Sequence, residues 1–131
     1  MNKFIPLYFT LEDENTFQLA KTINTDKYLC GISYLEGKVV TPSYKKSDRL
    51  FLCSDVCQES YVNSIKLPIL CEIYRNKKNG TVINEIYNIT WLRILRPNIS
   101  SVKLYICDEE GSTVSFWTGQ LRCSLLFIYS P

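Results

Sequence analysis

Histidine is absent from the chain. That removes the most common general base, the usual partner of a nucleophilic Cys or Ser, and the commonest metal ligand. Glycine is scarce, at five residues, and none sits in a phosphate-cradling loop, a G-x-S-x-G elbow or a dinucleotide fingerprint. Enzyme chemistry is therefore not expected, and neither is a cofactor. Alanine occurs once, where a helical domain would use more of it. Charge of one sign is lacking too: fifteen basic against thirteen acidic residues leave +2, no electrostatic footprint for nucleic acid. No apolar run approaches membrane-spanning length. The opening "MNKFIPLYFTLEDEN" is interrupted by Pro6 and Thr10 and turns acidic at Glu12, unlike a signal-peptide core. With no signal peptide expected, the six cysteines read as buried small hydrophobes in a reducing compartment, and the sequons at Asn79, Asn88 and Asn98 as incidental.

What is present is apolar and strand-forming. The chain is 46% apolar and 13% aromatic, with nine Tyr and many Ile, Leu, Val and Thr, which suit a pleated surface. At 131 residues it predicts one domain, residues 1–131, able to bury a core unaided. Strand-like segments such as "KFIPLYFT", "KYLCGISYL", "RLFLC", "LPILCEIY", "SVKLYIC" and "LRCSLLFIY" recur between short polar or Gly/Pro breaks. This pattern predicts an all-β fold: a single-domain β-sandwich, jelly-roll-like, or a barrel. "ENTFQLAKTIN" is ambiguous, because Asn15 could cap a helix with Phe17, Ala20 and Ile23 on its apolar face. In "SVKLYICDEEGSTVSFW" two alternating runs flank "DEEG", a hairpin with Gly111 placed for a positive φ. The last strand carries Leu121, Cys123, Leu125, Phe127 and Tyr129 on one face and Leu126 and Ile128 on the other, the mark of a central or covered strand.

Each cluster with chemical potential has a plainer structural reading. Cys53-x-x-x-Cys57 could join Cys30 and Cys71 as a zinc site, but a structural zinc site normally supplies two such knuckles. No metal is expected. Asp108, Glu109 and Glu110 followed by Gly111 read as a solvated turn rather than a calcium loop. The basic groups Lys45, Lys46 and Arg49, and Arg75, Lys77 and Lys78, read as solvated loops. Trp91 and Trp117, with Tyr87, Tyr105 and Tyr129, fit core packing, a glycan-binding surface or a subunit interface.

Two long segments carry a resemblance. "RLFLCSDVCQESYVNSIKLPILCEIYRNKKNG" and "ISSVKLYICDEEGSTVSFWTGQLRCSLLFIYS" resemble a family encoded by Maverick/Polinton-type elements and the related adintovirus-like DNA viruses of animals. In the first, the matching positions are Leu50, Leu52, Asp55, Val56, Glu59, Val62, Lys66, Pro68, Ile69 and Leu70. In the second they are Ile99, Val102, Leu104, Asp108, Gly111, Val114, Phe116, Gly119, Leu125 and Phe127. Glu72 departs from the pattern, standing where a basic residue is common, and the chain is short for the family. The resemblance implies a virion structural protein, minor capsid, penton- or fibre-like, that self-associates and docks to the major capsid protein or another virion protein. It would be made inside the host cell and located in the virion, as a homo-oligomer with closed symmetry, a pentamer or trimer. It also implies that Asp55 turns or caps the backbone at a strand end. The expected interface residues are Trp117, Leu126, Ile128 and Tyr129. The alternative is a fibre-head or domesticated module binding a host glycan or protein receptor, with Tyr44, Lys45, Lys46 and Asn79 in recognition.

Overall fold

Burial with a period of two runs through most of the segments that read as strands. In β1 (Phe4–Leu11), Ile5, Leu7, Phe9 and Leu11 turn to the interior while Phe4, Pro6, Tyr8 and Thr10 turn to solvent. A computed structural model describes residues 4–12, 15–41, 49–76, 78–86, 88–114 and 118–131. Among these residues there is no helix. The remaining strands are β2 (Asn15–Asn24), β3 (Tyr28–Lys38), β4 (Leu50–Ser54), β5 (Ser60–Val62), β6 (Ile65–Leu67), β7 (Ile69–Ile73), β8 (Thr81–Glu85), β9 (Leu92–Arg93), β10 (Asn98–Asp108) and β11 (Leu121–Tyr129).

They form two large antiparallel sheets and a separate two-stranded one, β5-β6. The first runs β1-β11-β3-β8, with β9 also paired to β3; the second runs β2-β10-β4-β7. Between them lies one apolar cluster. Leu11, Ile32, Leu35, Leu121, Leu125 and Phe127 come from the first sheet, and Leu52, Ile99, Leu104 and Ile106 from the second. The fold is an all-β sandwich, as the alternation predicts. The ambiguous "ENTFQLAKTIN" is the edge strand β2. Phe17 packs on Phe9 of the opposite sheet, ring centroids 4.7 Å apart, whereas Ala20, which a helical face would bury beside it, is exposed.

Two irregularities shape the sheets. Along the β3/β11 ladder Ile32 pairs with Leu125 and Tyr34 with Ser124, leaving Ser33 as an extra residue on β3. Such a bulge reverses the side-chain parity beyond it. Leu35 is thereby brought into the core, and Tyr34 and Glu36 are turned outward. On the other sheet, β2 bulges between Gln18 and Ile23 while β10 advances only from Ser101 to Ile99.

Short segments cover part of the outer faces. The β5–β6 hairpin sets Val62 and Leu67 against Phe51, Cys53 and Cys107, so β4 is buried on both faces. This settles "RLFLCSDVCQES" as a doubly covered strand and the turn that leaves it. On the first sheet, the chain at 89–91 lies over Gly31: a Cβ there would collide with Ile89 Cγ2 and meet the Thr90 carbonyl oxygen at 2.8 Å. At the "DEEG" turn, Gly111 has φ +86° and Asp108 Oδ1 accepts from the N–H groups of Glu110 and Ser112, at 2.9 and 3.0 Å.

β11 is hydrogen-bonded on both edges, to β1 and β3. Leu125 and Phe127 are fully buried and each contributes about 1.5–3 kcal/mol, against a total of about 5–15 kcal/mol for a domain. Deleting residues 122–131 should abolish the cooperative melting transition seen by circular dichroism; a soluble truncation with a native-like transition would refute the central role of β11. Gly31→Ala should cost about 1–3 kcal/mol in urea unfolding through overpacking against Ile89 and Thr90. An unchanged midpoint would mean that the 89–91 segment does not press on the sheet.

Candidate functional site

The thiols come first, because the sequence raises them as the main candidate for chemistry. Cys30, Cys57, Cys71 and Cys123 pack in or against the inter-sheet core, whereas Cys53 and Cys107 lie on the other face of β4 and β10 under the hairpin. The four-cysteine set Cys30, Cys53, Cys57 and Cys71 is therefore divided between two clusters. Among the described residues no group of three or more His, Cys, Asp or Glu could hold a metal, and none of the six cysteines is in a disulfide. Burial pushes the thiols of Cys30, Cys57, Cys71 and Cys123 up to about 12. Cys53 is pushed far higher, first by its hydrogen bond with Cys107 and then by burial. A buried thiol held protonated in this way is a poor nucleophile at neutral pH.

The charged residues near these strands are spent on structure. Asp55 Oδ1 accepts from the Lys103 N–H of β10 at 3.0 Å, and its other oxygen lies 3.5 Å from Arg96 Nη2. The local turn is instead held by Ser54, whose Oγ accepts from Val56 N at 3.3 Å. Asp55 thus caps a backbone group, but on a neighbouring strand rather than its own turn. Glu72 pairs with Arg49 at 2.8 Å, and Arg75 donates to the Val39 carbonyl and to Thr41 Oγ1, both at 3.0 Å.

What remains is the outer face of the first sheet. The registers of β1, β11 and β3 set its residues in rows. Phe4, Ile128 and Leu29 form the first row; Pro6, Leu126 and Gly31 the second. Tyr8, Ser124 and Tyr34 form the third; Thr10, Arg122 and Glu36 the fourth. Residues in a row share a face and touch across strands. The first two rows are apolar and the last two are aromatic and polar.

The expected interface residues Leu126 and Ile128 lie in the apolar rows, each half-buried. Tyr129 stands on the other side of β11, edge-on to Tyr28 with ring centroids 5.4 Å apart. Asn79 is exposed, and its Oδ1 accepts from Thr81 N at 2.9 Å, closing its own loop. Trp117, Tyr44, Lys45 and Lys46 lie outside the described residues.

The third and fourth rows enclose a depression of about 510 Å³. Ser124, only 7% exposed, forms its floor between two tyrosines. Tyr8 is 77% exposed. Tyr34 donates to Glu36 Oε2 at 2.7 Å, and Arg122 Nη2 donates to Glu36 Oε1 at 2.9 Å. Ser33, the bulge residue, donates to the Ser124 carbonyl at 3.4 Å. Sequence reasoning passed over Tyr8, Tyr34, Glu36 and Arg122. The signal was there in "CGISYLEG": Cys30 and Ile32 keep a period of two, but the next core residue is Leu35, so the alternation breaks at Ser33.

The raised thiols also give a pH dependence. Cys30, Cys57, Cys71 and Cys123 are each protonated in the folded chain up to about 12 but ionise near 9.0 once unfolded, so their stabilising contribution is complete below pH 9 and fades as pH rises towards 12. In reducing buffer the free energy of urea unfolding should be level from pH 7 to 8.5 and fall above 9, by up to about 1.4 kcal/mol per pH unit per thiol. Cys123→Val should flatten that fall, and an unchanged slope would contradict the assignment. Native protein at pH 8 should resist a small aromatic disulfide reagent that titrates all six thiols in denaturant. Among known proteins, no family model, no curated protein and no solved structure matches this chain.

Proposed function

We propose that this chain is a virion structural protein of a virus or virus-derived element, a jelly roll that works by self-association and docking rather than by catalysis. The observation that carries the reading is the strand order. With the short β5, β6 and β9 set aside, eight strands divide four and four between sheets ordered β1-β11-β3-β8 and β2-β10-β4-β7. That order matches two interleaved Greek keys, the plan of the eight-stranded jelly rolls of viral capsid and lectin domains. It agrees with the resemblance carried by the "RLFLCSDVCQES" and "SVKLYICDEEG" segments.

The surface supports the assembly half of the proposal. Phe4 is 49% exposed beside Leu126 and Ile128, so an apolar strip of the first sheet faces outward. A closed ring of three or five copies needs a second, different patch for this strip to meet. Exposed Tyr61 on the covering hairpin and Tyr74 beyond β7 supply apolar surface elsewhere on the molecule. The major capsid protein is the proposed second partner.

Light scattering coupled to size exclusion, in reducing buffer at two concentrations, is expected to give a discrete trimer or pentamer. Phe4→Lys with Leu126→Lys should return it to monomer with the melting temperature kept within a few degrees. A clean monomer for the parent chain at both concentrations would remove self-assembly from the proposal. An oligomer that survives the double substitution would move the interface elsewhere.

A further inference from the structure

We infer that the depression between Tyr8 and Tyr34 is a binding site for an uncharged saccharide. The assembly reading does not require it, and it uses different rows of the sheet.

The argument starts from the backbone. Tyr8 and Tyr34 flank Ser124 in one cross-strand row, so their Cα atoms stand two strand spacings apart, roughly 10 Å. A large side chain at the middle position would fill the gap; serine leaves it open, and the depression measures about 510 Å³. The Ser33 bulge is what makes the arrangement, because with unbroken alternation Tyr34 would point into the core and Leu35 outward. Tyr8 meanwhile is largely exposed to solvent, and its direct partner on β11 is Ser124.

The polar groups decide the class of ligand. Glu36 and Arg122 neutralise each other, so the site carries no net charge to recruit an anion or a cation. Glu36 accepts one hydrogen bond on each oxygen, from Tyr34 and from Arg122, and a carboxylate can accept more. Arg122 engages Glu36 through Nη2, and its side chain is 62% exposed, so further N–H donors face solvent. The pair lines the same depression as the two tyrosines. A pyranose matches this on both counts: its C–H face stacks on a tyrosine ring, and its equatorial hydroxyls both donate to a carboxylate and accept from a guanidinium. An apolar ring from a peptide would use the wall but strip water from Glu36 and Arg122 without replacing it.

The test uses the intact ¹⁵N-labelled protein titrated with the methyl glycosides of glucose, galactose, mannose and their N-acetylated forms. At least one should shift the amide signals of Ser33, Tyr34 and Ser124, with an affinity insensitive to salt between 50 and 500 mM. Tyr8→Ala and Glu36→Gln should each weaken it by about tenfold. Tyr8→Phe should leave it nearly unchanged, since stacking survives. Each variant should keep the parent's melting temperature, because both positions face solvent. The inference is overturned if no glycoside shifts these amides, if the shifts map elsewhere, or if Tyr8→Ala binds like the parent. It is equally overturned if only sialylated or sulfated glycans bind and salt abolishes them. If Tyr8→Ala lowers the native mass while no glycoside binds, a second copy of the chain occupies the depression, and the assembly reading stands without this one.

Discussion

β11 has to be paired on both edges before any other part of the first sheet can exist. It is the last strand of the chain, yet it lies between β1, the first, and β3. Its inward residues Leu121, Leu125 and Phe127 fill the centre of the inter-sheet core, and its outward residues form the middle column of every row on the exposed face. The same nine residues thus set the packing and the surface chemistry. Because the pairing closes a loop of more than a hundred residues, its entropy cost must be met by contacts that arrive together, as is usual for sandwiches rich in non-local strand pairs.

Given that frame, the fate of each outer face follows from what covers it. On the second sheet the β5–β6 hairpin supplies Val62 and Leu67, which is why Phe51, Cys53 and Cys107 can be as apolar as the inward side of the same strands. On the first sheet the only cover seen among the described residues near the centre is the chain at Ile89 to Trp91, and it needs Gly31 beneath it for lack of space. Beyond Gly31 the face is open. There the bulge at Ser33 exchanges a leucine for a tyrosine and a glutamate, and polar side chains resume at that row.

Much of this was legible in the sequence. The strand-rich composition, the spacing of breaks, the two-faced last strand and the turn role of Asp108 were all readable, because each depends on local periodicity or on a side chain bonding its own backbone. "ENTFQLAKTIN" was not decidable, since Phe17 and Ile23 serve either period and only pairing with β10 selects the strand. The Tyr8/Tyr34 depression was missed for a different reason. It is assembled from three strands far apart in sequence, and its one local sign, the break in alternation at Ser33, passes for an ordinary irregularity. The reach of Asp55 to Lys103 across 48 residues is hidden from sequence in the same way.

The two uses proposed for the first sheet meet along a line, and desolvation says where. Burying Phe4, Leu126 and Ile128 against a neighbour stabilises in proportion to the apolar area removed from water. Burying Glu36 and Arg122 does not, because a desolvated ion pair recovers its hydration cost only when its remaining donors and acceptors find partners. An interface that spread across all four rows would therefore lose at the fourth what it gained at the first. The favourable edge falls at Ser124, where the side chains change from apolar to polar. An assembly built on the Phe4 and Leu126 rows would leave the Tyr8 and Tyr34 row at its rim, open to solvent. On these energetics, the proposed assembly and the proposed ligand binding would partition one sheet face between them without competing for it.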